Sequence, residues 1–110
     1  MRATGMPVCI AVMTVLTAPI VGHVGDGNFH LVVLFDPNDA GQRERAEGLA
    51  KAVSLRAIAM GGTCTGEHGI GWHKLDMLAQ EHGEAVELMR AVKRALDPFN
   101  IMNPGKTVPL

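Results

Sequence analysis

Two histidines at the ends of a glycine-rich turn are the first candidates for chemistry in this sequence. The segment GHVGDGNFH, residues 22–30, places His23 and His30 seven positions apart. Glycines at positions 22, 25 and 27 leave little side-chain bulk between them, and such backbone lets a ligand or an ion approach closely. The pattern indicates a polar site at a turn. The alternative is two unrelated histidines, one buried and hydrogen-bonded and one near the surface.

The Asp26-Gly27 dipeptide predicts a two-residue hairpin turn between these histidines. In that register His23 pairs directly with His30, and their Cβ atoms lie about 5 Å apart on one face. This separation lets both imidazoles bind one metal ion through bonds of roughly 2.0–2.1 Å. A turn longer by one residue would send the two side chains to opposite faces, so the metal hypothesis depends on the register.

A third metal ligand is available in GEHGIG, residues 66–71, where Gly66 and Gly69 flank Glu67 and His68. We expect the Glu67 carboxylate to bind the ion. Two histidines and one carboxylate with an open coordination position suit catalytic Zn²⁺ or Mn²⁺. His68 is then left beside the ion, where an imidazole can accept a proton from a bound hydroxyl.

The remaining polar candidates have simpler interpretations. Asp26 is explained by turn preference. Cys9 and Cys64 form no CxxC motif and indicate free thiols in a reducing compartment; for Cys64 we prefer a small buried thiol over a metal ligand. His73 and His82 adjoin polar helical segments and are predicted on the solvated surface.

Composition narrows the function classes. The chain has 110 residues, which is one small domain at most. A net charge of −1 and four aromatic residues (three Phe and one Trp) argue against nucleic acid and anionic membranes as partners. We predict a cytoplasmic protein.

The elements that must position these residues follow from hydrophobic periodicity. Ala18–Phe35 favours two strands, and a helix should begin at Asn38 or Asp39 and stop at Gly61-Gly62. GGTCTGEHGIG reads as a short strand running into a loop.

Two further helices are predicted after that loop: a short one over Lys74–Gln80, ended near Gly83, and a clearer one from Ala85 to Leu96, ended by Asp97-Pro98. The order β-β-α-β-α-α predicts an α+β fold, with helices on one face of a small antiparallel sheet that is partly ferredoxin-like.

Residues 1–18 form an atypical apolar segment. The apolar run from Pro7 to Val21 is shorter than the roughly 20 residues of a membrane span. A signal peptide cleaved after Ala18 is an alternative, but the charged region before the run is weak and Pro19 follows directly. We favour a buried strand or helix that is covered by another domain or subunit.

The motifs GHVGDGNFH, GGTCTGEHGIG and DPFNIMNPGK occur in the order found in a known family. From about Pro19 to Lys106 the chain resembles the C-terminal part of FAD-linked 2-hydroxy-acid dehydrogenases and oxidases, flavoproteins of the vanillyl-alcohol-oxidase type. GGTCTGEHGIG is most similar to the D-lactate branch, with the glycolate oxidase flavin subunit next.

The resemblance implies roles for the same residues. His23, His30 and Glu67 match the family's divalent-metal ligands, and His68 matches its proposed catalytic base. In the family the metal binds the carboxylate and hydroxyl oxygens of a small 2-hydroxy acid, and a hydride passes to FAD. Asn28 and Asn103 could line the flavin edge, although a turn role suits Asn103 better.

The departure from the family matters equally. Its members carry an N-terminal FAD domain before the first of these motifs, so we expect residues 19–110 to be a substrate- and metal-binding half-domain without it. Three hypotheses remain open: a fragment inactive alone or completed by a chain carrying the FAD domain, a non-catalytic metal-binding or self-associating module that forms a homodimer through strand edges, and an exported protein.

Overall fold

A computed structural model describes residues 16–108 of the chain. Cys9 and most of the apolar N-terminal segment therefore lie outside the described residues. Two strands, β1 (Ile20–His23) and β2 (Asn28–Leu31), form an antiparallel sheet. Three helices follow: α1 (Ala40–Ala59), α2 (Leu75–His82) and α3 (Ala85–Leu96). The predicted α+β class with a small antiparallel sheet is confirmed.

The predicted two-residue turn and its register are wrong. The chain reverses through four residues, with a 3-10 turn over Val24–Asp26 followed by Gly27 at φ 70°. His23 pairs with Asn28, and His30 pairs with Val21. A type I′ turn would require a positive φ at both central residues, whereas only the glycine adopts one here.

The hairpin nevertheless keeps both histidines on one face. The connection exceeds the predicted one by two residues, and side chains alternate faces with a period of two. His23 and His30 are therefore diagonal neighbours. Hydrogen bonds from Val32 N to Pro19 O (3.0 Å) and from Leu34 N to Thr17 O (2.9 Å) continue the pairing beyond the two strands.

Local capping sets the helix boundaries close to those predicted. The Asp39 carboxylate accepts a hydrogen bond from Gln42 N (3.0 Å) at the start of α1. Met60 and Gly61, the latter at φ 79°, follow its end. Gly83 ends α2, and Asp97 ends α3.

The short strand predicted in GGTCTGEHGIG is absent from the structure. Residues 61–74 contain only turns and bends, and Gly69 and Gly71 have φ values of 75° and 56°. Left-handed glycines interrupt the extended conformation that a strand requires. The observed order is β-β-α-α-α.

The core of the described residues lies among the helices. Its buried apolar members are few: Ala46, Leu49, Cys64, Met77, Leu78 and Val86. The apolar stripe of α3 is left uncovered by residues 16–108, since the exposed fractions of Leu88, Val92 and Leu96 are 68%, 51% and 73%. Little apolar surface is therefore buried within this part of the chain.

Gly22 permits the two strands to pair. A Cβ atom at this position would lie 2.5 Å from both Asn28 O and Phe29 Cα. We expect Gly22→Ala to force the strands apart and to lower the free energy of unfolding by about 1–3 kcal/mol, the usual cost of overpacking, measured by urea titration. Gly25→Ala is the matched control, because a Cβ there meets nothing within 4 Å. Equal losses in the two variants would contradict the steric argument.

Asp97 organises the turn that follows α3. Its carboxylate accepts hydrogen bonds from Ile101 N (2.8 Å), from Met102 N (2.9 Å) and from the Lys93 ammonium. The hydrogen bond from Lys93, helped by the two backbone donors and opposed by burial, lowers the pKa of Asp97 from its ordinary value of 3.8.

A lowered pKa makes the stabilisation by Asp97 dependent on pH. The contribution is fully present above about pH 4 and is lost as pH falls through the lowered value, because the unfolded chain binds the proton first. We expect Asp97→Asn to reduce stability at pH 7 and to weaken the loss of stability below pH 4, measured by urea titrations across pH. Asp76→Asn, which removes the exposed pair with Lys51 (2.7 Å), should cost less. An unchanged acid transition in Asp97→Asn would contradict this role.

Candidate metal centre

The Glu67 carboxylate stands where the hairpin meets the loop after α1. Its Oε1 atom lies 3.5 Å from His23 Nε2 and 3.6 Å from His30 Nε2. The same oxygen accepts a hydrogen bond from the Asn28 amide. One carboxylate oxygen therefore faces three polar side chains of the hairpin.

His68 joins the same group from the loop side. Its ring stacks on that of His30, with centroids 5.0 Å apart and planes inclined by 28°. Potential ligand atoms of His30, Glu67 and His68 all lie within 4.8 Å of one another. The structure thus brings the three residues predicted as metal ligands and the predicted base to one place.

The group is open to solvent on one side. The side chain of His23 is 67% exposed, that of Glu67 is 41% exposed, and that of His30 is 30% exposed. A small ligand could reach these atoms without any rearrangement of the described residues. Nitrogen and carboxylate donors with an accessible side are the ligand chemistry of a catalytic zinc or manganese centre rather than a closed structural one.

A local hydrogen bond shapes the loop that carries Glu67 and His68. Thr65 Oγ1 donates to Gly69 O at 3.0 Å, which closes the loop on itself around Glu67 and His68. Gly69 takes a positive φ of 75° inside this closure, a conformation that glycine adopts without steric cost.

The base of the loop is fixed to α2. Glu81 accepts a hydrogen bond from Cys64 N (2.9 Å), and Lys74 donates to Cys64 O (2.6 Å). Burial opposes ionisation of Glu81, but its hydrogen bonds outweigh that effect and hold the pKa of its carboxyl below the ordinary value. A charged anchor on each side therefore holds the backbone of Cys64.

The Cys64 side chain is a buried free thiol, as predicted. Burial, together with a hydrogen bond to Glu81 and the negative charge of Glu81, raises the pKa of the Cys64 thiol. A metal ligand would need the thiolate form. The environment therefore disfavours the metal-ligand alternative for Cys64.

The C-terminal segment contacts the far end of the loop. Thr107 N donates to Gly71 O (3.0 Å), and Lys106 Nζ lies 4.8 Å from the centroid of the Trp72 ring. Asn103 accepts a hydrogen bond from Lys106 N (3.1 Å), which supports its predicted turn role. His73 and His82 are exposed, as predicted.

Sequence reasoning missed the contacts that hold the site together. The flavin-edge role of Asn28 stays a prediction, and the structure adds a contact that was not predicted, between the Asn28 amide and Glu67. A signal was available, because Asn28 precedes His30 by two residues and must share its face in any register. The anchors Lys74, Glu81 and Thr107 had no comparable signal, since they are distant in sequence and belong to no motif of the site.

Comparisons with known proteins agree with the family resemblance that the sequence motifs indicate. The sequence matches the family described as FAD linked oxidases, C-terminal domain, over residues 6–107. It is 51% identical over 96 residues to the probable D-lactate dehydrogenase, mitochondrial, of Danio rerio, which covers 86% of this chain and 19% of that protein.

Two other relatives show the same pattern. Identity is 47% over 95 residues with the D-lactate dehydrogenase [cytochrome], mitochondrial, of Arabidopsis thaliana, covering 86% of this chain and 17% of that protein. Identity is 43% over 90 residues with glycolate oxidase subunit GlcD of Escherichia coli strain K12, covering 81% and 18%. The chain spans less than a fifth of the length of these relatives. Within residues 16–108, no helix combines the length and the apolar character needed to cross a membrane.

Proposed function

This chain belongs to the family of FAD-linked oxidases, C-terminal domain, and on that premise we propose that it supplies a divalent-metal site and a catalytic base. The reaction is the FAD-dependent oxidation of a small D-2-hydroxy acid, of the D-lactate type, to the 2-keto acid. His23, His30 and Glu67 hold Zn²⁺ or Mn²⁺, and His68 is the base. This 110-residue chain is a contributing part of such an enzyme and is not active alone.

The distances around Glu67 carry the proposal. Three ligands on a tetrahedral ion at bonds of roughly 2.1 Å stand about 3.4 Å apart. His23 Nε2 and His30 Nε2 lie 3.5 and 3.6 Å from Glu67 Oε1. These two distances and the donor types fit a divalent cation held between the hairpin and the loop. The group whose ligand atoms are all mutually close consists of His30, Glu67 and His68, so the cation lies nearer His30 than His23 in this proposal.

In this proposal the residues of this chain hold the metal and remove the hydroxyl proton of the substrate. When bound, a divalent cation provides Lewis-acid stabilisation for a substrate oxygen, and FAD provides the hydride acceptor. An imidazole nitrogen of His68 accepts the substrate's hydroxyl proton, while its stacking on His30 holds the ring next to the ligand set. The exposed side of the group leaves room for the hydroxy acid.

The remaining parts of the proposal concern the whole protein. Residues 19–110 form the substrate- and metal-binding half-domain, and residues 1–18 precede it. FAD is bound by a partner domain, on the same or another chain, with Asn28 near the flavin edge. A cytoplasmic location stays a prediction, and two relatives carry the word mitochondrial in their names.

The metal site is tested by removing its ligands one at a time. We expect His23→Ala and Glu67→Ala each to abolish stoichiometric binding of Zn²⁺ or Mn²⁺, because an incomplete ligand set no longer closes on the ion. Metal content is measured by elemental analysis after dialysis. His73→Ala is the matched control, since His73 is an exposed histidine outside the group. Undiminished metal content in both ligand variants would remove the metal site from the proposal.

The base is tested separately from the metal. We expect His68→Ala to retain the metal, because His68 moves a proton and does not bind the ion. In an enzyme that includes the FAD domain, the same change should lower kcat by about 10²–10⁴-fold, the usual contribution of a general base. Elemental analysis and D-lactate oxidation kinetics give the two readouts. Loss of metal in His68→Ala would instead make His68 a ligand.

A second candidate is a non-catalytic, self-associating metal-binding module. The observation that favours it is the exposed apolar stripe of α3, formed by Leu88, Val92 and Leu96, together with the exposed edges of a two-stranded sheet. Light scattering of the purified chain separates the candidates. A homodimer that binds metal and gains no oxidation activity when an FAD domain is added would favour the module. A monomer would oppose it.

A further inference from the structure

We propose that Asn28 is a positioning residue that fixes which oxygen of Glu67 faces the metal site, an inference that rests on the proposed metal centre. The Asn28 Nδ2 atom donates a hydrogen bond to Glu67 Oε1. That oxygen is also the one that faces His23 Nε2 and His30 Nε2. The hydrogen bond thus acts on the ligand atom itself.

A carboxylate oxygen has two lone pairs, and one of those on Glu67 Oε1 accepts the hydrogen bond from Asn28. The N–H of Asn28 occupies one acceptor position of Glu67 Oε1 and leaves the other available between the imidazoles. Without a partner, an exposed glutamate rotates among several rotamers and loses that freedom when it binds an ion. Asn28 removes part of this cost before binding. Because the amide is neutral, the full negative charge of Glu67 remains available to a cation.

The contact between Asn28 and the neighbouring Gly66 holds the amide in this orientation. A Cβ atom at Gly66 would lie 2.3 Å from Asn28 Oδ1 and 2.9 Å from Asn28 Cγ. The loop backbone therefore passes directly against the amide, and only glycine leaves room for it. Asn28 is also half-buried, unlike most of the hairpin around it. The second N–H of Nδ2 is left for another partner, so the proposed flavin contact and the positioning role are compatible.

The first test compares metal affinities of the wild-type chain and Asn28→Ala. We expect Asn28→Ala to weaken Zn²⁺ binding by about 10–100-fold, the usual effect of removing a group that orients a metal ligand. The dissociation constant is measured by competition with a chromophoric chelator. The visible spectrum of the Co²⁺-loaded chain reports coordination geometry and should change as well. Asn38→Ala is the matched control, since the Asn38 amide donates to Asp36 (3.2 Å), outside the site.

A double-mutant cycle tests the route of the effect. Gly66→Ala changes no ligand, and the φ of Gly66 is not positive, so alanine fits the backbone. We expect Gly66→Ala to weaken Zn²⁺ binding when Asn28 is present, because the new methyl group displaces the amide. In the Asn28→Ala background the same change should cost no more than about twofold, because residues that act through one another are not additive.

The outcomes separate this inference from the proposed function. A wild-type chain that binds no Zn²⁺ would overturn both. Stoichiometric binding with equal affinity in wild type, Asn28→Ala and Gly66→Ala would overturn only the positioning role of Asn28. Additive losses in the cycle would likewise overturn it, because Gly66 would then act through something other than Asn28. Circular dichroism of the metal-free variants shows whether the hairpin and helices are retained.

Discussion

The contacts of the Glu67 carboxylate with three polar side chains of the β1–β2 hairpin join the hairpin to the glycine-rich loop. Glu67 belongs to a glycine-rich loop, whereas His23, Asn28 and His30 belong to the sheet. Few buried apolar residues lie nearby, because the described core is placed among the helices. Polar contacts therefore determine how the loop approaches the hairpin.

Several backbone features allow the loop and the hairpin to approach each other this closely. Gly22 lets the strands pair closely, and Gly66 lets the loop pass against Asn28. Thr65 closes the loop, while Lys74 and Glu81 attach its base to α2. The helix α2 packs against α1 and α3. Its Glu81, together with Lys74 directly before its first residue, holds the backbone of Cys64, which lies in the loop that carries Glu67. An attachment made by ionised groups is directional, so it defines the loop position better than an apolar contact would.

The sequence predicted features that depend on neighbouring residues and missed those that depend on distant ones. Local capping preferences predict helix boundaries at Asp39, Gly83 and Asp97, and the structure confirms them. The Asp-Gly signal was misleading, because Asp26 keeps a negative φ and the chain reverses over more residues. The strand predicted in the glycine-rich loop is wrong, because Gly69 and Gly71 adopt positive φ values that interrupt an extended conformation.

The grouping of the site residues was predicted despite the wrong register. The predicted and observed turns differ in length by two residues, an even number. Because side chains change face with every single residue, His23 and His30 still lie on the same face. The same alternation limits how this connection can evolve. Gain or loss of a pair of residues between β1 and β2 moves His23 along its face, whereas gain or loss of a single residue turns it away from Glu67. Length variants of this hairpin that keep the site should therefore differ by even numbers, a signature that homologous sequences would carry.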